Sequence, residues 1–204
     1  MTESQWQVAS EPHAMLEFLQ SNGKPNERKV RLFAVACSRR MWDRIDALGR
    51  NAVDVAERFA DGAADAEGMR AARLACHGAG GQAAWYAAAS HPAIAARNAA
   101  RSAQAGAVTL ATEADELVAQ ANLLREIFGN PFRPLSVDPS WLTPSVVNLA
   151  QTIYDDRAFD RMPELADALE KADCTNDEIL GHCRGSCPHV RGCLVVDILL
   201  GRVS

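Results

Sequence analysis

Glu27-Arg28-Lys29-Val30-Arg31-Leu32-Phe33-Ala34-Val35-Ala36-Cys37-Ser38-Arg39-Arg40-Met41-Trp42-Asp43-Arg44-Ile45-Asp46-Ala47-Leu48 carries the clearest pattern in the chain. Val30, Phe33, Ala34, Cys37, Met41, Trp42 and Ile45 recur at steps of three and four, which places them on one face of an α-helix. The spacing predicts a helix over about 27–48, capped by Asn26 and ended by Gly49. Cys37 lies on the apolar stripe and reads as a small buried hydrophobe. Arg28, Lys29, Arg31, Arg39, Arg40 and Arg44 spread over most of the remaining circumference and read as a solvated face.

The same grammar extends both ways along the chain. Thr2 caps a short helix carrying Trp6 and Val8. Ser10-Glu11-Pro12 opens a second, with Met15, Phe18 and Leu19 on one face. Residues 21–26 break the chain. Val53, Ala56, Phe59 and Ala60 mark a shorter helix stopped at Asp61-Gly62. An alanine-rich middle covers about 63–121, and its low side-chain entropy and small bulk favour helices that approach closely. Asp65 begins a helix running toward Ser90, weakened at Gly78 and Gly80-Gly81. Pro92 starts another, with Ala93, Ala96, Ala100, Ala103 and Ala107 as a small-residue seam. Thr112 opens the next, and Leu117, Ala121, Leu124 and Phe128 face inward.

Residues 129–142 then change character. Three prolines forbid a helix, yet Phe132, Leu135, Val137 and Trp141-Leu142 are too apolar for a solvated linker. A loop packed against helices is expected, with Phe132 and Trp141 buried. Thr143-Pro144 opens a helix through Tyr154. Phe159, Met162, Leu165 and Leu169 follow at helical spacing, and Asp155, Asp156 and Asp160 read as caps and partners of Arg157 or Arg161 rather than as catalytic acids. Thr175, with Glu178 at capping-box distance, begins a short helix, and a last one is expected from about Val190.

No alternating β-branched run interrupts this series. The expected fold is all-α: a single compact multi-helix bundle of eight to ten helices, one domain over 1–204. The chain of 204 residues can close a real core. A net charge of −5 argues against non-specific nucleic-acid binding. No run reaches the roughly 18 apolar residues needed to cross a bilayer. The opening residues lack a basic and an apolar region of secretory type, so a cytoplasmic protein is expected, with six cysteines as free thiols or metal ligands.

Several motifs resemble an uncharacterised protein family abundant in planctomycete bacteria. They are residues 28–34, Phe128-Gly129-Asn130-Pro131-Phe132-Arg133-Pro134 with Trp141-Leu142-Thr143-Pro144, residues 153–163, and His189-Val190-Arg191-Gly192-Cys193 followed by Val195-Val196-Asp197. The resemblance spans nearly the whole chain and implies no activity. Members of that family often carry a small residue where this chain has Cys187, which speaks against any scheme that needs Cys187.

Unusual chemistry is concentrated in His182-Cys183-Arg184-Gly185-Ser186-Cys187-Pro188-His189-Val190-Arg191-Gly192-Cys193, with Cys174 nine residues before Cys183. Three readings compete. Cys183, Cys187, His189 and Cys193 can bind zinc, with Cys174 or His182 as substitutes, although the spacing matches no standard two-knuckle site. A cysteine can instead be a nucleophile or redox thiol, activated by Arg184, Arg191 and the histidines. In the third, preferred reading the segment is a compact structural turn: His189 and Arg191 bond the loop, and Cys193 packs inward. Function then lies on the outer surface. The sequence thus favours a protein-interaction or regulatory module without a cofactor, its partner another protein, over a zinc-binding protein. It names no catalytic residue.

Overall fold

The computed structural model describes residues 1–23, 26–77, 82–106 and 110–202. Among these there are twelve α-helices, three single 3-10 turns and no strand. The chain forms two compact units, Met1–Leu124 and Arg125–Ser204.

The first unit opens with α1 (Glu3–Val8), where Thr2 and Gln5 complete a reciprocal capping box. It continues with α2 (Pro12–Ser21) and α3 (Glu27–Arg39), which Asn26 caps through the Lys29 amide. Here the structure departs from the expected 27–48 helix. The stripe does not run through as one rod, because α3 ends at Arg39, a 3-10 turn covers Trp42–Arg44, and α4 spans Ala47–Ala60. Asp46 supplies the reason: its carboxylate accepts from the Gly49 amide and caps a new helix, so Gly49 lies inside a first turn. Trp42 and Ile45 still pack inward, but from a bend.

Next come α5 (Ala66–Ala75), α6 (Gln82–Ala87), α7 (Pro92–Ala105) and α8 (Leu110–Phe128), the last of which carries the chain into the second unit. The expected weak point at Gly78 and Gly80-Gly81 lies outside the described residues, as does Ala107. Asp65 caps α5, which ends well before Ser90. α8 begins two residues ahead of Thr112. The alanine seam is real: Ala96, Ala100 and Ala103 are buried on α7, joined by Ala95 and Ala99.

Close alanine packing leaves backbone carbonyls near one another at helix ends, and these need donors. Arg31 supplies them. Only 2% exposed, it donates to the carbonyls of Ala87, Ala89 and Ser90, and its guanidinium lies over Phe59. The expectation of a solvated basic face is therefore corrected at Arg31 and at Lys29, which is also buried. Arg28 and Arg39 are tied to carboxylates, at Asp61 and at Asp54 and Glu57.

The second unit starts from the end of α8 and runs through α9 (Pro144–Asp156), α10 (Met162–Glu170), α11 (Asp177–Arg184) and α12 (Leu194–Leu199). Val146, Ala150, Ile153, Tyr154, Met162, Leu165, Leu169, Ile179 and Val196 form its core. Thr143 caps α9 as expected. Asn176, one residue later than expected, caps α11 by accepting from the Glu178 and Ile179 amides. The last helix starts at Leu194 rather than Val190. The proline-rich loop packs on this core through Leu135, Val137 and Trp141, whereas Phe132 remains 39% exposed, against expectation. Trp141 lies in a 3-10 turn that Asp138 caps and is half-buried rather than buried as expected.

Gly129 ends α8 with φ of 67°, and its amide donates to the Arg125 carbonyl. A Cβ there would strike Leu194 Cδ2. Gly129→Ala should therefore destabilise the protein by about 2 kcal/mol, from left-handed backbone strain plus local crowding. Arg31→Met should cost about 3 kcal/mol, because it leaves buried carbonyls unpaired. Urea unfolding of both variants checks these values.

Candidate metal centre

The second unit brings three pieces of chain to one point. The last turn of α8 contributes Glu126. The final turn of α11 contributes His182, and the segment leading into α12 contributes His189 and Cys193. That segment is positioned by its own bonds. Arg191 donates to the Tyr154 and Asp155 carbonyls at the end of α9, and its guanidinium lies over the Tyr154 ring. Gly192 takes φ of 93°, which turns the chain so that Cys193 becomes the residue before α12. Arg184 is held away on the surface by Asp167 and Glu170.

Glu126 lies at the centre. His189 Nδ1 donates to its Oε1 at 3.0 Å, and His182 Nε2 lies 3.3 Å from its Oε2. The same His182 Nε2 is 3.2 Å from Cys193 Sγ. The two imidazole rings meet edge to face, with centroids 5.0 Å apart. Ligand atoms of Glu126, His182, His189 and Cys193 all lie within 4.8 Å of one another, so this group could hold a metal ion. Side-chain exposure is 3% for Glu126 and 6% for His189, and rises to 24% for His182. His189 Nε2 is buried without a hydrogen-bond partner among the described residues.

The electrostatics follow from this arrangement. Burial by itself would push the Glu126 carboxyl up. Hydrogen bonds from His182 and His189, and then their charges, outweigh it and hold the group at about 2. Glu126 is thus a buried anion. It acts on the thiols in the opposite sense. Burial first, and then the charge of Glu126, push Cys193 well above its ordinary value and raise Cys183 to about 12. Without a metal both are neutral thiols near pH 7, which removes the basis for reading either as an activated nucleophile.

The expected ligand set is thus divided. His189 and Cys193 join the cluster, and so does His182, which the sequence offered only as a substitute. Cys183 is fully buried one residue further along α11, within the apolar core and outside the cluster; Cys174 is likewise a core residue. Cys187 is exposed on the loop and takes no part in it. Sequence reasoning missed Glu126. The available signal was its place on α8: it directly precedes Ile127 and stands one turn after Leu123, both buried. A carboxylate at such a position needs a partner.

Five of the six cysteines are buried and Cys187 alone is exposed. Brief treatment of the native protein with a small alkylating reagent should therefore label Cys187 first, leaving Cys193 unmodified until the protein is unfolded; peptide mass mapping reads the order. No family model, curated protein or solved structure matches this chain, and the reading of its site rests on the site's own geometry.

Proposed function

We propose that Glu126, His182, His189 and Cys193 bind a zinc ion, and that the protein is a zinc-stabilised helical module. The observation that carries this reading is the convergence of four donor atoms within 4.8 Å. Ligand atoms of a tetrahedral zinc site stand roughly 3.3–3.8 Å apart, given bonds of about 2.0–2.3 Å. The separations of 3.0, 3.2 and 3.3 Å need to open by only a few tenths of an ångström.

Two chemical arguments support it. The Nε2 of His182 stands within 3.3 Å of the Glu126 carboxylate and 3.2 Å of the Cys193 sulfur, so nitrogen, oxygen and sulfur donors already face one another. A cation among the same atoms serves all of them. Charge balance is the second argument. A thiolate and a carboxylate together offset the double charge of zinc, leaving a nearly buried site neutral overall. The thiol of Cys193 would lose its proton to the metal, as ligand thiols do. The mixed nitrogen, oxygen and sulfur set suits zinc better than magnesium or calcium, which take oxygen.

The metal's role in this reading is to fasten. It would tie the end of α8, α11 and the start of α12 across a short, irregular segment. Four protein donors fill a tetrahedral centre, whereas catalytic zinc keeps a position open for water or substrate. A filled site favours a module that works by binding another protein through its surface.

Protein purified without added metal should carry close to one zinc per chain by elemental analysis. Removing it should lower stability by about 2.7 kcal/mol relative to free zinc held a hundredfold above Kd. Cobalt substitution should give a thiolate charge-transfer band that Cys193→Ala abolishes and Cys187→Ala leaves intact. Metal-free protein whose melting temperature ignores added zinc would overturn the proposal.

A further inference from the structure

The first unit holds a feature unrelated to the metal centre. Between α2 and α7 lies a cleft of about 180 Å³, lined by Pro12, His13 and Leu16 on one side and by Arg97, Ala100, Arg101 and Gln104 on the other. Its size is below the roughly 300 Å³ at which drug-sized pockets begin, so it suits a small ion or a single head group. Arg97 and Arg101 are one turn apart and therefore share a face of α7. The residue between them on that face is Ala100, which leaves room beside both long side chains.

The charge arrangement is what calls for a ligand. No carboxylate lines the cleft. Among the described residues, neither Arg97 nor Arg101 has an ion-pair or hydrogen-bond partner. Arg28, Arg39 and Arg40 of the same unit pair with Asp61, Glu57 and Glu116, whereas Arg97 and Arg101 are exposed. Like charges one turn apart repel and disfavour the helix. What sets Arg97 and Arg101 apart is that these two exposed residues line one cleft free of carboxylates. His13 lines the cleft from the facing helix, with its Nε2 committed to Glu17 at 3.2 Å. Gln104 adds an amide whose Nε2 donates to Gln120.

We propose that this cleft binds a phosphate group. The planar guanidinium fork presents paired N–H donors that match two oxygens of a tetrahedral oxyanion, and two such forks from one helix face can share a single phosphate. The ligand is inorganic phosphate or the terminal group of a phosphomonoester. Binding would remove the repulsion between Arg97 and Arg101, so the anion-loaded unit would be the more stable form.

The test uses the full chain, titrated with inorganic phosphate at constant ionic strength, and separately with phosphoserine and with chloride. Affinity is read by calorimetry and stability by thermal melting. Phosphate should raise the melting temperature of the wild type while chloride does not, and Arg97→Gln/Arg101→Gln should weaken binding at least tenfold. Without phosphate, the double variant should melt at the same temperature as the wild type or higher, since a repulsion has been removed. Arg97→Lys/Arg101→Lys, which keeps the charge and loses the fork, should fall between the two. Arg70→Gln, an exposed arginine elsewhere in the unit, should bind as the wild type does. Phosphoserine binding more tightly than inorganic phosphate would identify the ligand as a monoester; equal affinity would identify the free ion. Equal phosphate response in wild type and double variant would sink the proposal. So would a double variant that melts lower without phosphate, because the arginines would then be serving the fold itself.

Discussion

A carboxylate that stays ionised inside an apolar helical unit must be compensated, and Glu126 imposes that demand on everything around it. At 4% exposure it cannot rely on water. His182 and His189 answer with hydrogen bonds, and Cys193 completes the group. Each of these comes from a different local structure: a helix end, a loop and the residue that opens a helix. Their convergence ties the segment between α11 and α12 to α8 although it has no regular secondary structure. Arg191, bound to the carbonyls that end α9, anchors the same segment from its other side.

The first unit solves a related problem with the opposite charge. Alanine-lined helices pack closely, and that closeness buries polar backbone at their ends. Arg31 extends from α3 to the last carbonyl of α6 and two more in the link to α7, a single side chain meeting a need created by the smallness of the others. Ser38, also fully buried, acts on a lesser scale, its one hydroxyl proton lying within reach of the Ala34 and Ala83 carbonyls. In both units, then, a buried polar side chain specifies where apolar helices meet, which uniform alanine and leucine surfaces would leave loosely determined.

Helix existence was legible because it is a local property. Thr2, Asn26, Asp65 and Thr143 each place a side-chain oxygen where it caps the following amides, and the apolar steps of three and four continue from there. Helix limits were less so. Between Ser38 and Ile45 the stripe stays in register for a helix, yet the Asp46 cap and the contacts of Trp42 impose a bend. Trp42, apolar apart from its indole N–H, lies beneath the guanidiniums of Arg39 and Arg50, and its carbonyl accepts from Arg50. No periodicity can register contacts of that kind.

The sequence by itself determined an all-helical protein, most of its caps, and the inward direction of residues such as Met15, Cys37, Leu124 and Ile153. It also marked residues 182–193 as the place where reactive side chains gather. Tertiary structure alone decided which of them meet. Spacing along the chain treats Cys187 and Cys193 alike, but the turn at Gly192 sends one inward and leaves the other on the surface. Glu126 stands 56 residues before His182 in the chain, and nothing local links the two. A site built from distant segments is set by how helices pack, and packing is a property of the whole unit rather than of any stretch within it.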